Sequence, residues 1–228
     1  MTIRSFVRRA GRLTPSQQRA LEELWPEFGV PFSGEPLQFD ALFGRDAPVV
    51  LEIGFGNGDT LVQLAAEHPE LDFLGIEVHE PGVGHCLLAA RAAGVTNLRL
   101  VRHDAVEVLE AMIAPASLSR INLYFPDPWP KKRHHKRRLV QPAFLGLVAS
   151  RLSPDGTFNV ATDWENYAEH IEAAIRESGR FECAEKRVHS GEQPLDRPVT
   201  KFERRGLRHG HRIRDWRFVR IDLASREL

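Results

Sequence analysis

From residue 49 onward, short apolar runs alternate with stretches of helical period. The runs PVVLEIGF, DFLGIEV, LRLVRHD, INLYF and GTFNVAT are short and rich in branched apolar residues, and they read as buried strands. Among and after them, residues 59–67, 81–93, 105–113, 141–151 and 164–178 carry the spacing expected of helices. Strands and helices alternating over short connections predict an α/β fold with a mostly parallel sheet, covered on both faces and linked by right-handed crossovers. Ligands of such sheets lie beyond the C-terminal strand ends, where the strand order reverses. Two later strand candidates, FECAEKRVH and DWRFVRIDL, show no helix between them and suggest an antiparallel pair closing the sheet.

Upstream, GRLTPSQQRALEELWP reads as a short helix, with Thr14 as N-cap, Pro15 at the first position, Gln17 completing a capping box and a stop before Pro26. Residues 26–44, rich in Pro, Gly and Phe, read as a loop packed on the core without regular structure. The division expected is a basic N-terminal arm with short helix and loop over 1–44, then one domain over 45–228. A chain of 228 residues that is 42% hydrophobic can bury such a core.

Composition narrows the setting. Cys86 and Cys183 are far apart and lack metal-ligand spacing, which predicts a reducing, cytoplasmic compartment with neither disulfide nor metal. No apolar run is long enough to span a bilayer, so no membrane partner is expected. The first twenty residues lack a secretory core and are Arg-rich and acid-free, which leaves an organelle transit peptide as an alternative. The formal net charge of zero conceals segregation: residues 21–80 hold thirteen acids and one cation, Arg45, while residues 131–138 hold six Lys or Arg. Residues 197–220 add nine cations against two acids. Such patches suit a protein that turns a basic face to a polyanion.

Glu52, Gly54, Gly56 and Gly58 close the first of these strands as ExGxGxG, where glycines permit a tight turn and close approach of a ligand. A nicotinamide dinucleotide would prefer GxGxxG, and Asp59 at the helix start would repel a pyrophosphate. Glu77, about twenty residues on, ends the next strand where a carboxylate holds ribose hydroxyls. Asp104 ends the third, placed either to accept from an adenine amino group or to cap a helix. The set resembles the S-adenosylmethionine site of Rossmann-like class I methyltransferases, whose cofactor carries no phosphate.

The fourth strand, INLYF, is expected beside the first, on the side away from the second. It leads into YFPDPWPKKRHHKRR, residues 124–138, where prolines stiffen a loop bearing Asp127 and Trp129 before eight consecutive Lys, Arg or His. This stretch resembles the signature of bacterial tRNA (guanine-N7-)-methyltransferases. RSFVRRAGRLT, LEIGFGNG, ATDWENYAEHI and RPVTKFERRGLRHGHRIRDWRF resemble the same family's other segments. The resemblance implies methyl transfer from S-adenosyl-L-methionine to a guanine N7 in the variable loop of tRNA. It places Glu52, Gly54, Gly56, Gly58, Glu77, Asp104 and Asp127 at the cofactor, with Asp127 also catalytic. It places Lys131, Asp163, Thr200, Lys201, Phe202 and Glu203 at the substrate, and Arg133, His134, His135, Lys136, Arg137 and Arg138 on RNA. Without the resemblance, Thr162 or Asp163 reads as a cap for the helix that follows, and the charged run from Thr200 as a solvated loop.

Guanine N7 is an unprotonated acceptor, so the reaction needs orientation and charge rather than a general base. Asp127 with either Asp163 or Glu203 is expected to accept from the guanine N1–H and amino group, with Trp129 or Phe202 stacking on the base. The rival readings are a noncatalytic RNA-binding protein on the same scaffold and an exocyclic-amine methyltransferase, since Asp127-Pro128-Trp129 approximates the (D/N)PP(Y/F/W) motif. The sequence leaves the oligomeric state open.

Overall fold

The computed structural model describes residues 11–191 and 194–222, so the first ten residues of the basic arm lie outside it. Helix α1 (Pro15–Glu23) begins on the expected capping box, in which Thr14 Oγ1 accepts from Gln17 N at 3.2 Å and Gln17 Oε1 accepts from Thr14 N at 2.9 Å. Pro26 does not open a loop. It sits in the first turn of a second helix, α2 (Trp25–Phe28), where the missing N–H has no partner to lose. The supposedly irregular stretch 26–44 then forms strand β1 (Gly29–Val30) and helix α3 (Phe39–Phe43). These elements are too short to show a period, and β1 is defined by pairing with the main sheet rather than by its own pattern.

The remaining elements follow the predicted alternation: β2 (Val49–Ile53), α4 (Asp59–Glu67), β3 (Asp72–Ile76), α5 (Glu80–Ala93), β4 (Leu98–Val101), α6 (Ala105–Ala111) and β5 (Leu118–Tyr124). After a 3-10 turn at Lys132–Arg137 come α7 (Pro142–Arg151), β6 (Leu152–Thr162), α8 (Glu165–Ser178), β7 (Phe181–His189), α9 (Lys201–Arg208) and β8 (Ile213–Arg220). The described strands form one sheet in the order β1-β4-β3-β2-β5-β6-β8-β7, parallel as far as β6, with β8 antiparallel to both neighbours. The closing pair is therefore as expected, but α9 stands between its strands where no helix was predicted. The order reverses at β2, with β3 on one side and β5 on the other, and this puts the C-terminal ends of β2, β3 and β5 side by side.

Strand alternation divides the core. Val49, Leu51 and Ile53 face one apolar cluster with residues of α6, α7 and α8, and Val50 faces a second with residues of α1, α4 and α5. Glu52 shares the parity of Val50 and is carried to the α4–α5 side of the sheet. Arg45, the lone cation of the acidic segment, is exposed but tied to the fold, donating to the buried Asp72 from Nε at 2.9 Å and Nη2 at 2.6 Å. Among the described residues no helix is long and apolar enough to cross a membrane.

Candidate active site

Chain reversal after β2 depends on glycine. Gly58 has φ +81° and a Cβ there would lie 2.3 Å from Cys86 Sγ, so a side chain would be both strained and blocked by α5. Glu77 fastens the loop from the next strand. Its Oε2 accepts from Gly56 N at 2.9 Å, while Oε1 accepts from Val78 N at 2.7 Å and His79 N at 2.9 Å. Three of the roughly four acceptor sites of this carboxylate are thereby used, leaving room for one further donor rather than two.

Glu52 is only 4% exposed, and its Oε2 accepts no hydrogen bond. Burial pushes its carboxyl up to about 8, against the pull of Arg197 and with Glu77 adding repulsion. The sign for folding follows. The native state binds a proton that the unfolded state has released near the ordinary value of 4.5, so the contribution of this group to stability is full below that value and is lost as pH rises toward about 8. Glu52→Gln is expected to flatten that decline, read from denaturant midpoints between pH 5 and 8.5; an unchanged pH slope would rule out Glu52 as its source.

Two adjoining clefts open at these strand ends. One, of about 230 Å³, is lined by Gly54, Gly56, Glu77, His103, Phe125 and Asp127 among others. The second, of about 290 Å³, is lined by Glu52, Gly54, Gly56, Gly58, Thr200 and Lys201 among others. Phe202 borders both, is 52% exposed, and stands over Gly56. Asp104, Lys131, Asp163 and Glu203 line neither cleft. Asp104 serves as a helix cap, its Oδ1 accepting from Val106 N at 2.8 Å.

The loop after β5 carries exposed Asp127 at the rim of the first cleft, with Phe125 at φ +52° and Trp129 at φ +45°. The basic run folds back on this loop. Arg137 lies over the Trp129 ring at 4.9 Å and His134 meets its edge at 5.8 Å, so Trp129 is engaged by the octet, whereas Phe202 faces the clefts. Arg138 stands apart from the exposed cations of the run. It is 2% exposed, donates from Nε to Pro128 O at 2.9 Å and from Nη2 to Asn166 Oδ1 at 2.7 Å, and lies over the Tyr167 ring. Charge alone marks it as surface, but position 138 ends the 3-10 turn and points its side chain inward, where it clamps the Asp127 loop to α8. Lys131, Lys132, Arg133 and Lys136 remain exposed.

Asp163 does not cap α8; the cap position is Trp164, whose N–H donates to Thr162 Oγ1 at 3.2 Å. Asp163 Oδ2 instead meets His211 Nδ1 at 3.0 Å. A Cβ on Gly206 would come within 2.7 Å of the same oxygen, so only glycine lets α9 approach Asp163 so closely. Glu203, in the same helix, is fully buried, accepts from Arg197 Nη1 at 2.5 Å and completes a capping box with Thr200. Arg197 also donates to Asp215 Oδ1 at 2.7 Å, and Asp215 Oδ2 meets His189 Nε2 at 3.0 Å. Sequence reading missed Arg197 and His211, whose only signal was their place in a cation-rich segment. The T-x-x-E spacing at Thr200 could have disclosed α9.

Residues 46–216 match a family model described as "Putative methyltransferase". The tRNA (guanine-N(7)-)-methyltransferase of Aeromonas hydrophila is 56% identical over 220 residues, covering 96% of this chain and 93% of that protein. The protein of the same name from Edwardsiella ictaluri is 57% identical, covering 96% and 92%, and that from Halorhodospira halophila 56% identical, covering 93% and 92%. Among solved structures, the 16S rRNA methyltransferase KamB matches 81% of this chain and 93% of its own, with TM-score 0.58 at 17% identity. A variant of the 16S rRNA (adenine(1408)-N(1))-methyltransferase of Catenulisporales acidiphilia, solved with SAM, matches 84% and 96% with TM-score 0.53, also at 17% identity. At such identity these structures speak for the fold alone. The extended identity, together with the cleft at the end of the switch-point strand, shows that the chain belongs to the tRNA (guanine-N(7)-)-methyltransferase family.

Proposed function

We propose that the protein transfers a methyl group from S-adenosylmethionine to N7 of a guanine in the variable loop of tRNA, in the bacterial cytoplasm. The observation that carries this reading is a single loop joining Asp127, on the rim of a carboxylate-lined cleft, to a turn of exposed cations. The cofactor fits the residues present: Glu52 offers an unpartnered oxygen for an amino group, Glu77 one acceptor for a ribose hydroxyl, and Asp59 at the start of α4 disfavours a phosphate. When bound, the cofactor supplies an electrophilic methyl on a sulfonium. Asp127 orients the guanine edge, Phe202 stacks on the base or on the reacting end, and Thr200 and Lys201 border the cleft that receives them.

Transfer of labelled methyl to unmodified tRNA, followed by cleavage selective for N7-methylguanosine, tests the reading. Label on an exocyclic amine would favour the rival enzyme class, and no label would favour a noncatalytic RNA-binding protein.

The two kinds of cation are expected to separate. Arg133→Ala with Lys136→Ala should weaken tRNA binding and reduce its log-log salt slope by about 0.7 to 0.9 for each phosphate left without its cation. Arg138→Ala should leave that slope unchanged while costing about 2 to 3 kcal/mol of stability, because buried acceptors are deprived of a charged donor. Binding titrations at several salt concentrations, with denaturant melts, check both; a slope altered by Arg138→Ala would contradict its buried role.

A further inference from the structure

Arg197 lines neither cleft, yet its guanidinium is enclosed where the two walls of the site meet. It donates to Glu203 in the first turn of α9 and to Asp215 in β8, and its Cζ stands 5.3 Å from the ring centroids of both Tyr124 and Phe125. Tyr124 ends β5 and Phe125 opens the loop after it, with Asp127 two residues further on. On the other wall, Phe202 immediately precedes Glu203. One side chain therefore grips the helix turn that carries Phe202 and the strand end that carries Asp127.

Stability alone is a poor account of this arrangement. A buried ion cluster roughly breaks even against apolar packing, and this one leaves Arg197 Nη2 and Glu203 Oε1 buried without hydrogen bonds. Beside it, Phe125 holds a left-handed backbone, φ +52°, which for a residue with a side chain persists only where the surroundings enforce it. Both features suit a group kept for geometry, since small misplacements of reacting partners lower rates steeply.

We propose that Arg197 is a positioning residue for methyl transfer, fixing the separation between the Phe202 turn and the Asp127 loop without touching substrate or cofactor. The inference rests on the function proposed above. Arg197→Lys keeps the charge but loses the planar fork that serves two carboxylates at once. Asp215→Asn, in β8 and outside both clefts, removes the charge that orients Nε while preserving shape. Both are expected to bind S-adenosylmethionine as the wild type does, by calorimetry, and to show kcat lowered roughly tenfold to hundredfold. Amide exchange should quicken at Phe125, Asp127 and Trp129 and at residues 200–205, but not at residues 50–58.

Wild-type kcat with wild-type exchange in those two segments would overturn the proposal. So would a loss of cofactor affinity equal to the loss of rate, which would place Arg197 in cofactor binding instead. Should Arg197→Lys fail to fold, Asp215→Asn decides. If the wild-type chain transfers no methyl at all, the functional reading falls, and the exchange comparison still decides whether Arg197 holds the two walls together.

Discussion

Glu77→Ala is expected to weaken S-adenosylmethionine binding by roughly a thousandfold, measured by calorimetry on folded protein. One carboxylate accepts from the amides of Gly56, Val78 and His79, at 2.7 to 2.9 Å. Charge-assisted bonds of this kind contribute about 1.5 to 3 kcal/mol each, and an orphaned buried donor costs a similar amount. Loss of the carboxylate frees the glycine loop from β3 and removes an acceptor for the ribose. A net penalty of about 4 kcal/mol on the loop's binding conformation corresponds to the thousandfold loss. Glu77→Gln should fall between, because its amide oxygen still serves one or two of the N–H groups while its amide nitrogen opposes the remaining one. An Ala variant that binds normally would show that the loop is held by its other contacts, among them Gly54 N to Ile76 O at 2.8 Å.

How far the sequence shows this site depends on what each side chain buries. The alternation from β2 to α8 is legible because those elements hide apolar residues at regular spacing, and the register of β2 carries Glu52 to the α4–α5 side of the sheet. Helix α9 is not legible in that way, since its buried positions are Glu203 and Gly206, a carboxylate and a glycine that no hydrophobic period can reveal. Its meaning comes from partners outside the helix: Arg197, itself bonded to Asp215, for Glu203, and the distant Asp163 for Gly206. The burial of Arg138 is illegible for a related reason. Composition counts it with five neighbouring cations, but its burial depends on the Pro128 carbonyl and Asn166, which only the fold brings near. Asp163 illustrates the opposite error, because a carboxylate just before a helix satisfies the rule for a cap, and only His211, distant in sequence, draws it elsewhere.

Asp127→Ala is expected to lower kcat by about a thousandfold with little change in cofactor affinity. During transfer, positive charge leaves sulfur and settles on the purine, and the Asp127 loop borders the cleft where both would lie. A carboxylate about 4 Å from that charge interacts with it by roughly 4 kcal/mol at an effective dielectric near 20, which is the size of the expected loss if the interaction strengthens toward the transition state. Asp127→Asn separates the two contributions the carboxylate can make. The amide keeps one acceptor for the guanine edge but no charge, so an Asn variant as slow as Ala assigns the effect to charge, and one near the wild type assigns it to hydrogen bonding. Single-turnover rates are the proper measure, since they isolate transfer from product release. Wild-type rates in both variants would remove Asp127 from the chemistry and leave the proline-stiffened loop with orientation of the basic turn as its role.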